Sequence, residues 1–270
     1  MKIIRFLDAD GATRLGATDP TSDVSTSAPP ATARLIEGSL TGSYRVTDAT
    51  ARVAKLLYPI EPAMILGIGA NYRAVFTSSG RPLPDYPIVF FKLANALANP
   101  DDPIVLPRKA IRADEVKYEG ELCVVIGRGG KNIPASRAME HVLGYTIAND
   151  VSGSDWQGAR VGMQWAKGKG FDTFCPLGPA IVTADEIGDP ASLRVVTRVD
   201  GTVEQDESVA QMVFAVPELI AFLSAGHTIA DGSIILTGTP PGARFVKPGE
   251  RIDITIDRIG TLSNPVVEEG

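Results

Sequence analysis

From Met64 onward the chain is written as short apolar runs cut by Gly and Pro. AMILGIG, YPIVFF, ELCVVIG, VLGYTIAND, GPAIVT, LRVVTRVDG, GSIILTG and RIDITI each read as a short strand. Helical signals are fewer, with ASRAMEHVL and VPELIAFLSA the strongest. A doubly wound sheet needs a helix after nearly every strand, so this pattern argues against one. It predicts an α+β fold dominated by β-rich mixed sheets. No internal repeat marks the chain as a solenoid or propeller.

The N-terminal stretch differs. KIIRF reads as a strand and Asp8 to Gly11 as a turn, while residues 18–32 are rich in Ser, Thr, Ala, Pro and Asp, which is loop chemistry. TDATARVAKLL predicts a helix with Asp48 as its cap. Pro59 and Pro62 then punctuate the chain. The expected organisation is a small N-terminal subdomain, residues 1–62, followed by a catalytic domain, residues 63–270.

Composition narrows the class. The chain has 270 residues, 44% of them apolar and 21% charged, enough to bury a large core. A net charge of −6 with scattered Lys and Arg gives no electrostatic case for nucleic acid or an anionic membrane. The opening MKIIRFL is too short for a signal segment, and no later apolar run is long enough to span a bilayer. Two cysteines, Cys123 and Cys175, imply no disulfide framework. A cytoplasmic location is the default expectation.

Chemistry concentrates in VKYEGELCVVIG, residues 116–127. Residues i and i+2 of a strand share a face, so Glu119 and Glu121 project side by side, about 7 Å apart along the strand. Two such carboxylates running into an apolar strand repel each other unless solvated or bridged by a cation. An E-x-E pair is also what the solvent-facing edge of an amphipathic strand presents. Asp150 supplies a third carboxylate where the strand VLGYTIAND ends, and loops beyond strand ends favour functional groups. Read alone, Asp150 would serve equally as a turn or cap residue. Together, three oxygen donors suit a hard cation, Mg²⁺, Mn²⁺ or Ca²⁺, better than a structural zinc.

Other polar clusters are less specific. Lys167 and Lys169 lie in the Gly-rich AKGKGFD, where a cation can meet a carboxylate substrate. TGTPPG, residues 237–242, follows the strand IIL and is either an anion-holding turn or a plain tight turn. No dinucleotide fingerprint, Walker sequence or nucleophile elbow occurs. The two histidines, His141 and His227, read as surface or capping residues, which leaves a Ser-His-Asp triad without material.

Eight ordered segments, ILGIGANY, P-x-x-FFK at Pro87 to Lys92, YEGELCVVIG, GYTIAND, GKGFDTFCPLGP, VDGTVEQD, ILTGTPPG and IGTLSNPV, resemble the small bacterial form of the fumarylacetoacetate hydrolase family. The resemblance spans about residues 64 to 267. It implies a β-rich catalytic fold of the type found in that family's C-terminal domain, a homodimer, and Mg²⁺ or Mn²⁺ held by Glu119, Glu121 and Asp150. It implies Lys169 and Gln157 as catalytic-pocket residues. Gly238 and Thr239 would bind the substrate carboxylate, with Tyr72 and Ser154 as further substrate contacts. The expected substrate is a small 2-oxo, acylpyruvate-like acid, handled by C–C cleavage, decarboxylation, dehydration or tautomerisation through an enolate that the cation stabilises.

Two departures stand out. The family's hydrolases carry N-Y-x-x-H-x-x-E, whereas here Val75 stands in the histidine position and Ser78 in the glutamate position. Ser154 also replaces a pocket arginine. Without that planar fork of donors the expected substrate is less anionic than a dicarboxylate, unless Arg73, Arg81 or Arg160 reaches the same space. The missing pair predicts poor hydrolysis, and also leaves open a protein that binds metal and 2-oxo acid without turning it over.

Overall fold

A computed structural model describes residues 1–110 and 115–270, with the side chain of Arg160 outside the description. Strands make up most of the regular structure in these residues. A twelve-stranded mixed sheet carries, from one edge to the other, Tyr44–Arg52, Thr32–Gly38, Thr13–Thr18, Lys2–Leu7, Cys175–Thr183, Val142–Asn149, Gly120–Ile126, Ile234–Leu236, Ile65–Gly69 and Ile88–Lys92. Two short strands join beside this path, Lys55–Leu57 and Leu97–Ala98. A five-stranded sheet of Thr202–Ser208, Arg194–Val199, Arg251–Ile256, Gly260–Glu268 and Ile104–Leu106 forms the other large layer.

All the apolar runs named above contain strands, and the α+β reading with mixed sheets holds. The centre of the large sheet is buried on both faces: every residue of Gly120–Ile126 and of Cys175–Thr183 is buried. Such strands read as continuous apolar runs, which is what LCVVI and GPAIV are. Gly120–Ile126 pairs antiparallel with Val142–Asn149, setting Gly120 opposite Asn149 and Glu121 opposite Ala148. Its other edge pairs with Ile234–Leu236, so the end of that strand is delivered beside the Glu119–Glu121 segment.

The helix Val216–Ser224 forms as expected. Val216, Leu219, Ile220 and Leu223 bury one stripe, Pro217 stands in its first turn, and Glu218 accepts the Ala215 N–H at 2.7 Å. Two helix expectations change. ASRAMEHVL forms 3₁₀ turns over Ala135–His141, and its last residues enter Val142–Asn149, because Val142 pairs with Ile126 in the sheet. TDATARVAKLL is not helical: it supplies the end of Tyr44–Arg52 and the whole of Lys55–Leu57. Thr47, Thr50 and Val53 are β-branched, and the partners Thr32–Gly38 and Lys2–Leu7 satisfy that backbone, so tertiary pairing overrides local helix propensity. No helix among the described residues is long and apolar enough to cross a membrane.

Candidate functional site

The site forms where strand ends from the middle of the large sheet meet. Glu119 precedes Gly120–Ile126, Glu121 lies inside it, and Asp150 follows Val142–Asn149. Antiparallel pairing places the start of the first strand beside the end of the second. Asp150 N–H donates to the Glu119 carbonyl at 2.8 Å, and Glu119 N–H donates to Asn149 Oδ1 at 3.0 Å. One carboxylate oxygen from each of Glu119, Glu121 and Asp150 lies within 4.8 Å of the others. Asp150 is fully buried and Glu121 1% exposed, while the Glu119 side chain keeps a 20% opening to solvent.

Two buried lysines answer these acids. Lys169, at the end of the short helix Trp165–Lys169, donates to Glu119 Oε2 at 2.8 Å and to Asp150 Oδ2. Its ammonium also lies 4.6 Å from the centre of the Phe90 ring. Lys92 sits 2.7 Å from Asp150 Oδ1 and donates to the Val151 carbonyl at 3.1 Å. The charges separate accordingly. Burial raises the Glu121 carboxyl well above its ordinary range, and the Asp150 and Glu119 charges push it further up. Burial also raises Glu119, against the pull of Lys169. For Asp150, burial works upward, but Lys169 and Lys92 outweigh it and hold the group below the ordinary carboxylate value. Burial opposes the Lys169 charge, yet Asp150 and Glu119 raise its affinity for the proton.

A carboxylate this destabilised, one neighbour away from two others, is the arrangement a hard divalent cation relieves. The three acids therefore fit such an ion, with Glu121 the one left without a lysine. Its Oε2 instead accepts the backbone N–H of Gly238 at 2.7 Å. Gly238 adopts φ +99°, and a Cβ there would come within 2.7 Å of Asn71 Cβ, so only glycine keeps this close approach. Thr239 follows, its hydroxyl donating to the Gly120 carbonyl at 3.0 Å.

The remaining expected residues surround this centre. Tyr72 is fully buried, its hydroxyl has no hydrogen-bond partner among the described residues, and burial together with the Glu121 charge keeps it protonated. Gln157 follows the 3₁₀ turn Ser154–Trp156, half-buried, with its buried Nε2 unpartnered among the described residues. A Cβ on Gly168 would meet Trp156 and Gln157, so that turn packs directly against the residue before Lys169. Ser154 is half-buried in the same loop, two residues after Ser152, whose hydroxyl donates to Glu119 Oε1 at 2.9 Å. Ser154 and Gln157 thus flank the carboxylates rather than join them. Val75 lies half-buried in the helix Arg73–Thr77, and Ser78 is exposed at its end. His227 is exposed and His141 half-exposed, each ring nitrogen lying near a backbone carbonyl.

Three residues were not singled out from sequence. Lys92 shares the buried face of Ile88–Lys92 with Phe90, and a lysine in phase with a buried aromatic was the available signal. Asn71 is fully buried; its amide donates to the Phe214 and Thr237 carbonyls at 3.0 and 2.9 Å and accepts the Phe214 N–H at 2.9 Å. Gln205 is buried, with both amide donors and its carbonyl oxygen engaged.

The chain is similar to known proteins in sequence and in fold. Residues 64–267 match the family model described as fumarylacetoacetate (FAA) hydrolase C-terminal. The chain is 46% identical over 220 residues to the mitochondrial oxaloacetate tautomerase fahd2 of Xenopus laevis, covering 78% of this chain and 68% of that protein. It is 42% identical over 216 residues to protein Rv2993c of Mycobacterium tuberculosis, covering 80% of each. Among solved structures, a 5-carboxymethyl-2-hydroxymuconate delta-isomerase from Mycobacterium smegmatis superposes with a TM-score of 0.86 at 38% identity, over the full length of both chains.

Proposed function

The chain belongs to the fumarylacetoacetate hydrolase family, and on that premise we propose that it is a divalent-metal-dependent tautomerase or isomerase of a small 2-oxo acid. The observation that carries this reading is the pairing of a buried three-carboxylate cluster with the Gly238–Thr239 turn, in a chain whose usual acid–base positions hold Val75 and Ser78. Glu119, Glu121 and Asp150 would hold Mg²⁺ or Mn²⁺. When bound, the cation supplies Lewis acidity towards the 2-oxo group. The turn at Gly238–Thr239 would meet the substrate carboxylate, and the Tyr72 hydroxyl and Gln157 amide would supply donors that the described residues leave unused. Lys169, held protonated by Asp150 and Glu119, would present its positive charge to the developing enolate.

Keto–enol interconversion needs charge stabilisation and proton movement within this pocket. Hydrolysis needs in addition a base for the attacking water, a contribution of roughly 10²–10⁴-fold. Val75 cannot supply it and Ser78 is a poor substitute. Two of the three similar proteins named above are a tautomerase and an isomerase by name, which supports the same choice. Ser154 argues for a tail of low charge, whereas oxaloacetate in a relative's name argues for a second carboxylate. Arg73 and Arg81, exposed on the segment after Tyr72, are two cations that could meet it.

The test follows enol-oxaloacetate and a panel of monocarboxylic 2-oxo acids with Mg²⁺ or Mn²⁺, reading keto–enol conversion, C3 deuterium exchange and cleavage products in parallel. Fast conversion with little cleavage is expected. Efficient acylpyruvate hydrolysis would overturn the choice of reaction. Saturable binding without conversion of any substrate would favour the non-catalytic alternative.

A further inference from the structure

We propose that Gln205 is a positioning residue that fixes the spacing between the carboxylate cluster and the Gly238–Thr239 turn; the inference rests on the site reading above. Gln205 belongs to Thr202–Ser208, the outermost strand of the five-stranded sheet, yet is 1% exposed. Its Oε1 accepts the Gly120 N–H at 3.3 Å. Its Nε2 donates to Thr239 Oγ1 at 2.8 Å and to the Pro240 carbonyl at 2.6 Å. The Thr239 hydroxyl passes its own proton to the Gly120 carbonyl at 3.0 Å. One planar amide thereby closes a ring between Gly120, which separates Glu119 from Glu121, and the two residues that follow Gly238.

The surroundings leave that ring little freedom. A Cβ on Gly120 would lie 2.3 Å from Thr197 Oγ1 and 3.4 Å from Gln205 Oε1, so the strand approaches as closely as glycine permits. At the far end of the turn Gly242, at φ +108°, rests against the Glu204 carbonyl, where a Cβ would fall at 2.1 Å. A 2-oxo acid holds its oxo and carboxylate oxygens at fixed separation. A ligand that meets both the cluster and the turn therefore needs them in register to within about 0.5 Å. Gln205 touches neither ligand nor reacting atoms; it acts through Gly120 and Thr239.

The experiment uses two probes on the full chain: Mn²⁺ alone, followed by electron paramagnetic resonance, and oxalate added to the Mn²⁺-loaded protein, followed by calorimetry. In Gln205→Met, Mn²⁺ affinity is expected to stay within about 3-fold of wild type while oxalate affinity falls about 10-fold or more. Gln205→Glu keeps the length and the acceptor towards Gly120 but replaces the donor towards Thr239 and Pro240. It carries the same expectation and serves if the methionine variant does not fold. Equal weakening of both probes would assign Gln205 a merely structural part and overturn the proposal, as would unchanged oxalate affinity. A wild-type chain that binds neither probe overturns the site reading and this inference with it. Wild-type binding that folded variants reproduce overturns this inference alone.

Discussion

Asp150 and Glu121 contribute carboxylates to one cluster but are held there by opposite balances. Asp150 lies between two buried ammonium groups, so Asp150→Asn leaves Lys92 and Lys169 without their shared counter-charge. Breaking a buried pair from one side costs about 3–5 kcal/mol, and a loss of that order is expected in denaturant unfolding with EDTA present. Glu121 has no lysine partner, and its folded-state pKa is raised above the ordinary value of 4.5 by burial and like charge. A raised carboxylate favours folding below its unfolded pKa, and that contribution is lost as pH rises through the folded value. Metal-free wild type should therefore lose stability as pH rises above the ordinary carboxylate value of 4.5 and through the raised Glu121 value, and Glu121→Gln should flatten that slope. The same substitution should abolish Mn²⁺ binding in calorimetry. Indistinguishable pH slopes, or unchanged Mn²⁺ affinity, would show that Glu121 is not the strained member of the cluster.

Between elements, Asn71 shows how the site is tied to its frame. It joins the segment after Ile65–Gly69 to Phe214 and to Thr237, which ends Ile234–Leu236. Asn71→Ala strands buried backbone groups at about 1–3 kcal/mol each, so the variant is expected to melt lower and to bind oxalate more weakly than Mn²⁺ alone. Retained Tm and oxalate affinity would refute the tie. What sequence reveals at this scale follows from range. Glu119 and Glu121 were legible as a pair from the two-residue period of a strand, although Glu119 itself lies just before Gly120–Ile126, and Asp150 because it closes an apolar strand. The helix Val216–Ser224 was legible because its buried stripe is local. Gln205 was not, since its partners lie many residues away across other strands and no local pattern demands a polar contact there, and Lys92 carried only the weak signal of its phase with Phe90. TDATARVAKLL misled for the same reason: its partners in Thr32–Gly38 and Lys2–Leu7, not its own propensity, decide its conformation.

For the whole molecule, the open question is whether residues 1–62 stand apart thermodynamically. We propose that they form a subdomain in sequence that unfolds with the rest. Lys2–Leu7 continues the large sheet by pairing with Cys175–Thr183, Ile3 opposite Ile181. Phe6, Val24, Ala33 and Leu56 pack in one apolar cluster with Ala180, while Ile3, Ala17, Ile36 and Ile60 join the main core. The loop at Thr26 donates its N–H to the Thr261 carbonyl at 3.0 Å, and Lys2 Nζ reaches the Ile259 carbonyl at 3.3 Å. Separating the two parts would expose the edge of Cys175–Thr183, whose neighbour on the other side, Val142–Asn149, leads directly into Asp150. Calorimetry of the metal-free chain should therefore show one transition, with van't Hoff and calorimetric enthalpies in agreement. Mn²⁺ at 100 times its Kd should add about 2.7 kcal/mol and move that whole transition up by roughly 5–10 °C. Two resolved transitions, with Mn²⁺ shifting only the one that contains Glu119, Glu121 and Asp150, would show that the N-terminal strands fold on their own and that the site does not depend on them.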